Sequence, residues 1–274
     1  MSSRRRAIRI LLAIDLLIGA GLAFVYAPLP SDAPLIIGHR GDLEHFPENT
    51  LAGVLSAASL GADGVEIDLH RSADGTWWLM HHPDIDFTTP GTGLVSDLTD
   101  AEMAGLTIDA GPGFRPEHAG LHHPITLDEM LGALAAWPDF VVVLDVKERG
   151  PAAARSAAEV AERHGLGERA WIITDSVDSA SAAVAAYPPI TPTLRGVTGD
   201  FHRLMDAHAE AMEWAWLSLT DAPLVAYANT DLTLDAFEQL DRASRWNAAM
   251  YIGNSMVDSV AWRTERLGFA ADGG

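Results

Sequence analysis

A histidine and an arginine at the end of a short apolar run have the types and spacing of a catalytic pair. The run Leu35–Ile37 breaks at a Gly-His-Arg-Gly turn that contains His39 and Arg40. Both side chains should therefore lie at the carboxyl end of a buried strand, where α/β folds usually position catalytic groups. An imidazole exchanges a proton near neutral pH, and a guanidinium offers a fixed fork of donors that matches a phosphate.

Three carboxylates are predicted at neighbouring strand ends. Glu66 and Asp68 alternate with apolar residues along the predicted strand 64–70, so both point to the same face, the inner mouth of a closed sheet. Asp145 ends a second predicted strand, 140–146. Clustered carboxylates are costly unless a cation compensates them, and hard divalent cations prefer oxygen ligands. The three residues are therefore predicted to hold Ca²⁺ or Mg²⁺.

Four motifs occur in a fixed order over about forty-five residues. They are His-Arg-Gly at 39–41, Pro-Glu-Asn-Thr at 47–50, Gly-Ala-Asp-Gly-Val-Glu-Ile-Asp at 61–68, and a predicted strand that ends in His81. In this order and at this spacing they resemble the glycerophosphodiester phosphodiesterase family, and the resemblance extends from Ile36 to about Lys147. It implies hydrolysis of a glycerophosphodiester, or a related lysophospholipid, to a glycerol phosphate and an alcohol.

The resemblance also implies roles for individual residues. His39 and His81 would be the acid and the base for phosphodiester cleavage, and the sequence leaves open which is which. Arg40 and Lys147 would contact the phosphate. Lys147 is the one lysine of the chain, against seventeen arginines, so a compact point charge is retained here for a reason. Glu48 would either join the outer shell of the metal or only cap a helix.

Several positions depart from the family pattern. Asp145 stands where the family usually has Glu in a Glu-x-Lys motif, His82 replaces a common Asp, and Phe87 replaces an Arg. These changes leave open a barrel that binds a phospholipid or a phosphosugar without chemistry. A further alternative is a phospholipase D or sphingomyelinase-like activity on membrane lipids. Tyr251 and Asn254 occupy the place of the family's Trp-Thr-Val-Asn, so only the asparagine matches.

Helix and strand patterns alternate over most of the chain. This alternation predicts a parallel sheet, and seven or eight strands in about 240 residues favour a TIM-type (β/α)8 barrel. The resemblance implies a small insertion, about 83–125, after the second strand region. It also implies a last strand, which here would be short or missing because the sequence stops at Gly274. A dinucleotide-binding fold is disfavoured, since no Gly-x-Gly-x-x-Gly follows a strand. Further elements are predicted at 51–60, 126–137, 152–164, 170–174, 179–187, 191–194, 201–211, 214–219, 234–246, 248–252 and 257–267.

The first thirty residues are predicted to be a signal anchor, or a signal peptide with a linker, before a barrel domain at 31–274. Four arginines precede the apolar run 10–27, which Asp15 interrupts. This length is short for a membrane-spanning helix and long for a signal-peptide core. Pro28 after the candidate cleavage site at Ala27 slightly favours an uncleaved anchor. The barrel is therefore predicted to be exported, and either attached to the cell membrane or secreted.

The composition is strongly acidic and lacks cysteine. The net charge of the 274 residues is −20, and from Pro28 onward 14 basic and 37 acidic residues remain, a balance of −23. A phosphate backbone would be repelled, and the charge therefore argues against nucleic acid as a partner. Disulfides and thiolate zinc sites are excluded.

Overall fold

The computed structural model describes residues 35–194, 225–227 and 250–267. The strands in these residues are β1 (Leu35–His39), β2 (Gly64–Arg71), β3 (Trp77–Leu79), β4 (Val141–Val146), β5 (Ala170–Thr174), β6 (Thr191–Leu194), β7 (Val225–Tyr227) and β8 (Met250–Gly253). All except β3 lie in one parallel path, in the order β6-β5-β4-β2-β1-β8-β7. This is the strand arrangement of a TIM-type barrel, and the predicted fold class is confirmed.

Helices follow the strands and cover the outer face of the sheet. Thr50 begins the first by accepting a hydrogen bond from the Gly53 amide, and Thr126 begins another in a reciprocal pair with Glu129. The second pair is the capping box predicted from the sequence. The described helices are α1 (Leu51–Ser59), α2 (Asp100–Ala104), α3 (Leu127–Ala133), α4 (Pro151–Arg163), α5 (Val177–Ala186) and α6 (Met256–Leu267).

Side-chain alternation along the strands separates two apolar layers. Val65, Ile67 and Leu69 pack in the larger cluster between sheet and helices. A smaller cluster on the inner face is formed by Ile37, Val143, Ile173 and Ile252. The even-numbered residues of β2 therefore face the barrel interior, as predicted, with the apolar inner cluster beneath its two carboxylates.

The segment 83–125 is an insertion with its own small apolar cluster, packed on the hairpin of β2 and β3. The carboxylate of Asp100 joins the two, because it accepts hydrogen bonds from the Ser72 hydroxyl at 2.6 Å, the Thr76 hydroxyl at 2.5 Å and the Trp78 indole at 3.0 Å. Three short 3₁₀ turns and α2 are the regular elements there. The buried cluster consists of Trp78, Met80, Ile85, Val95 and Met103.

Some predictions on the elements were incomplete or lie outside the described residues. The strand after the turn at Gly75 is shorter than predicted and antiparallel, and the short β7 was not predicted. The predicted elements at 201–211, 214–219 and 234–246 fall outside, as do the apolar segment 10–27 and the end of the chain. β1 pairs with β2 on one side and with β8 on the other. Within the described ranges, no helix is both long and apolar enough to span a membrane.

Replacing Gly64 by alanine should destabilise the barrel. A β-carbon at Gly64 would lie 2.4 Å from the Val141 carbonyl oxygen and 2.9 Å from Ile37 Cδ1, so β2 and β4 would have to separate. Overpacking of this kind costs about 1–3 kcal/mol in free energy of unfolding. Urea unfolding followed by circular dichroism measures the change.

Gly132→Ala is the matched control for that substitution. This glycine is exposed on α3, and its nearest neighbour to a new β-carbon is His164 Cε1 at 4.0 Å. An alanine there should stabilise the protein by about 0.5–1 kcal/mol through helix propensity. Equal effects of the two substitutions would show that β2 and β4 tolerate a wider spacing than the structure implies.

Candidate active site at the carboxyl ends of the strands

Strand register brings the candidate residues together at the carboxyl ends of β1, β2 and β4. His39 is the register partner of Glu66, and Asp68 is the partner of Asp145. Since partners in adjacent parallel strands face the same side, all four side chains point to the inner mouth. One ligand oxygen from each of the three carboxylates lies within 4.8 Å of the others, and all three residues are buried.

Two cations hold Asp68 from opposite sides. The Lys147 ammonium lies 2.6 Å from Asp68 Oδ1 and 2.5 Å from Asp145 Oδ2. The Arg40 guanidinium lies 3.2 Å from Asp68 Oδ2 and donates a hydrogen bond of 2.6 Å to Glu48. Burial alone would raise the pKa of Asp68, but the charges of Lys147 and Arg40 outweigh it and hold that pKa below its usual range.

Glu66 has a different environment from Asp68. It is fully buried, and its Oε2 accepts a hydrogen bond of 3.2 Å from the Arg40 amide, whereas its Oε1 has no hydrogen-bond partner in the described part of the chain. Burial, followed by the negative charges of Asp68 and Asp145, raises the pKa of Glu66 well above its usual value. Burial likewise raises the pKa of Glu48, although Arg40 opposes it.

A pair of left-handed residues shapes the loop before α1. Arg40 and Asn49 have φ values of 58° and 55°, and the Asn49 amide donates a hydrogen bond of 2.9 Å to the Arg40 carbonyl. The Asn49 side chain donates to Asp68 Oδ2 at 2.8 Å and accepts from the Asp68 amide at 3.1 Å. Non-glycine residues adopt this conformation rarely. Here it brings the Pro-Glu-Asn-Thr motif against β2, where Asn49 fixes the orientation of Asp68.

His39 is held in one orientation by a residue from the other end of the chain. Its Nδ1 donates a hydrogen bond of 2.7 Å to the side-chain oxygen of Asn254, just after β8. The opposite ring nitrogen, Nε2, lies 3.9 Å from Glu66 Oε2 and faces the carboxylates. Burial and then the Arg40 charge lower the pKa of His39 to about 4, so the ring is neutral at pH 7. A neutral ring protonated on Nδ1 has its lone pair on Nε2.

His81 approaches the cluster from the insertion side. Its backbone carbonyl lies 3.3 Å from His70 Nε2, and its ring packs edge-on against His82 with centroids 4.6 Å apart. Among the described residues its Nδ1 has no hydrogen-bond partner. Burial is the main cause that lowers the pKa of His81 to about 3, while the nearby charge of Asp68 opposes this shift. His82 in turn packs against Phe87, with ring centroids 3.9 Å apart.

The residues present fit a hard divalent cation. The four carboxylates of Glu48, Glu66, Asp68 and Asp145 outnumber the cations of Arg40 and Lys147 by two charges. The three residues of the cluster offer oxygen ligands, and within the described ranges one of these oxygens, Glu66 Oε1, is buried without a hydrogen bond. Burying such an atom is unfavourable unless a partner is supplied, and Ca²⁺ or Mg²⁺ would be such a partner.

The structure joins Arg40, Glu48, Asp68, Asp145 and Lys147 by direct contacts and places His39 beside Glu66, whereas His81 is linked to Asp68 only through its charge. Asn49 was missed, because it was read only as part of a motif at a helix start. The partnership of Asn254 with His39 was missed too, although the residue had been noted, since no local pattern reports a contact across 215 positions. The roles proposed for these residues remain predictions.

A cleft lies between the hairpin of β2 and β3 and the insertion, and none of the residues proposed for the site lines it. Its volume is about 450 Å³. Two residues of its lining are close to site residues in the sequence: Pro83 follows His81 by two positions, and Glu148 follows Lys147 by one. Arg71 and Glu148 form an ion pair along one wall, in which Arg71 Nε lies 2.8 Å from the Glu148 carboxylate. The lining consists of His70, Arg71, Ser72, Gly75, Pro83, Val95, Ser96 and Glu148.

Sequence comparison finds relatives with known names. A glycerophosphodiester phosphodiesterase of Caldanaerobacter subterraneus subsp. tengcongensis is 42% identical over 113 residues, which cover 41% of this chain and 45% of the relative. An uncharacterized protein of Mycobacterium tuberculosis is 32% identical over 161 residues, 56% of this chain and 52% of the relative. The chain therefore spans about half the length of these relatives or less.

Solved structures show the same fold. The glycerophosphoryl diester phosphodiesterase domain of an uncharacterized Mycobacterium tuberculosis protein superposes with a TM-score of 0.66 at 19% identity, covering 85% of this chain and 100% of that one. A phosphodiesterase of Oleispira antarctica, solved in complex with the product sn-glycerol-3-phosphate, superposes with a TM-score of 0.65 at 19% identity. The superposition covers 84% of this chain and 96% of that one. At this identity the likeness is evidence for the fold.

The family model for the glycerophosphoryl diester phosphodiesterase family matches residues 39–247, about three quarters of the chain. The match begins at the histidine that ends β1 and runs through the carboxylates of β2 and β4. The fold, the order of the motifs and this match agree, and the chain belongs to the glycerophosphoryl diester phosphodiesterase family.

Proposed function

We propose that the protein is a metal-dependent phosphodiesterase that hydrolyses glycerophosphodiesters to glycerol 3-phosphate and an alcohol. The observation that carries this proposal is the position of His39 Nε2, 3.9 Å from Glu66 in a buried cluster of three carboxylates that could hold a metal ion. Family membership supports the reaction class, and the Oleispira relative with bound sn-glycerol-3-phosphate supports the product.

In the proposed reaction, water adds to phosphorus and the phosphorus–oxygen bond to the alcohol breaks. His39 Nε2 accepts the proton of the attacking water, since Nδ1 is committed to Asn254. His81 gives a proton to the departing alkoxide, and the negative charge of the bound diester favours the protonated form that this step needs. Arg40 and Lys147 contribute positive charge beside the phosphate oxygens.

Glu66, Asp68 and Asp145 would hold the metal ion, with Glu48 behind Arg40 in the second shell. When bound, the ion supplies charge that stabilises the negative oxygens of the reacting phosphate. Asp145 is one methylene shorter than the glutamate that is usual in the family. Its carboxylate nevertheless reaches the other two ligands, because its strand register places it directly beside Asp68.

Family membership favours a glycerophosphodiester over a membrane lipid as the substrate. A phospholipase D or sphingomyelinase-like activity and a lysophospholipid substrate are therefore second candidates. A barrel that only binds phospholipid or phosphosugar is the third, because Asp145, His82 and Phe87 depart from the family pattern.

Removal of divalent metal should abolish turnover. Purified protein is dialysed against chelator and assayed on glycerophosphocholine, with glycerol 3-phosphate as the measured product. We expect no turnover until Mg²⁺ or Ca²⁺ is returned, because the acidic cluster then lacks its counter-charge. Turnover that survives exhaustive chelation would refute the metal requirement. If no phosphodiester is hydrolysed in the presence of metal, the proposed activity is refuted and the barrel that only binds its ligand is favoured.

The two histidines should respond differently to the leaving group. On glycerophosphocholine, His39→Ala and His81→Ala should each lower kcat by about 10²–10⁴-fold. A p-nitrophenyl phosphodiester releases an anion that needs no proton, so His81→Ala should lose much less activity on it, whereas His39→Ala should remain impaired.

His164→Ala is the control for general histidine loss. This residue ends α4 and pairs with Asp128 on the surface, so both activities should stay at the wild-type level. Equal impairment of the two site variants on both substrates would contradict the assignment of base and acid. Unchanged binding of glycerol 3-phosphate by all three variants would show that the loss lies in chemistry.

Export of the barrel is the remaining part of the proposal. It is supported by the arginines before residue 10 and the apolar run 10–27, which together keep the start of the chain in the cytoplasm. Cell fractionation should find the protein outside the cytoplasm. An intact mass that includes residue 1 would favour the anchor, loss of mass up to Ala27 would favour secretion, and a cytoplasmic protein would contradict both.

A further inference from the structure

The Lys147 ammonium lies among the candidate metal ligands. It contacts Asp68 Oδ1 at 2.6 Å and Asp145 Oδ2 at 2.5 Å, and only 15% of its side chain is exposed. Two of the three carboxylates of the cluster are thus neutralised in part by a cation of the chain itself. Any second cation that binds the cluster must share these oxygens with the ammonium or displace it.

The remaining contacts of Asp68 make sharing unfavourable. Its Oδ2 accepts a hydrogen bond of 2.8 Å from the side-chain amide of Asn49 and lies 3.2 Å from Arg40 Nε. Both contacts tie this oxygen to the loop before α1. Oδ1 is the oxygen left for a metal, and it is the oxygen that Lys147 contacts. Metal–oxygen distances of about 2.0–2.6 Å would bring a doubly charged ion close to the ammonium in a buried site, where repulsion is poorly screened.

The lysine side chain has the freedom to move away. Its backbone amide is fixed by a hydrogen bond of 3.2 Å to the Leu69 carbonyl, but four methylene groups separate the backbone from the charge. The ammonium can therefore leave Asp68 and Asp145 without any movement of β4. The side chain is partly exposed, so the ammonium has access to the solvent from which the phosphate of a substrate would approach.

We infer that Lys147 is an internal counter-cation that a divalent metal ion displaces from Asp68 and Asp145. The displaced ammonium then becomes available to the phosphate, so metal binding and phosphate binding are coupled through one side chain. The inference rests on the metal site of the proposed function. It adds that Lys147 weakens the affinity for metal while stabilising the metal-free barrel.

The composition of the chain allows a direct test. Because Lys147 is the one lysine, protein grown with ¹³C,¹⁵N-lysine gives a single lysine side-chain spin system. Titration with Mg²⁺ or Ca²⁺ should shift the Cε and Nζ resonances of the wild-type protein and saturate at the stoichiometry found by calorimetry. A resonance that does not move while calorimetry shows saturation would overturn the inference.

Substitutions test the energetic side of the competition. Lys147→Met keeps an unbranched side chain that is one atom shorter and removes its charge, and its metal affinity by calorimetry should be at least about tenfold tighter than wild type, about 1.4 kcal/mol. Lys147→Arg keeps the charge and should stay near the wild-type affinity. Without metal, the melting temperature of Lys147→Met should be lower than that of the wild type. Addition of metal should raise the melting temperature of the variant by more than it raises that of the wild type.

Arg163→Met is the matched control for net charge. Arg163 pairs with Asp128 on the surface, away from the cluster, so its loss changes the total charge equally and should leave metal affinity unchanged. An affinity of Lys147→Met equal to or weaker than wild type would contradict the competition. Wild-type protein that binds no divalent metal would instead refute the metal site of the proposed function, and the two failures are distinguishable for that reason.

Discussion

Repulsion among buried carboxylates is the constraint on which the site depends. Glu66, Asp68 and Asp145 point into a mouth where water is scarce, and like charges at such a distance cannot all ionise without compensation. The chain supplies two cations, and Asp68 is the carboxylate that both of them contact. Glu66 is left with the largest deficit, which is why its pKa is raised while that of Asp68 is lowered.

The barrel maintains this unfavourable arrangement through contacts that lie outside the cluster. Strand register fixes which residues are neighbours, and the apolar inner cluster of Ile37, Val143, Ile173 and Ile252 packs beneath them. Asn49 and Asn254 then fix the orientation of Asp68 and His39 by side-chain hydrogen bonds. The energy for holding the charges together thus comes from packing and from neutral polar groups, as in active sites generally.

The sequence predicted the parts of the fold and site that depend on local patterns. Period-two alternation identified the inner face of β2, and the Thr126–Glu129 pair identified the start of α3. The short β7 has three residues and too little pattern to be recognised. The Lys147–Asp145 contact follows from residues two apart on one strand end, but its sharing with Asp68 depends on the register of β2 against β4, which no local signal encodes.

The insertion between β3 and α3 has a consequence for how such a protein can diverge. Its apolar residues pack with one another and with the hairpin, and they form a cluster separate from the one that joins sheet and helices. Substitutions within it need not be matched by repacking of the barrel. New walls for the cleft between the hairpin and the insertion are therefore accessible through single mutations, so this surface can change while the carboxylates and their supports stay the same.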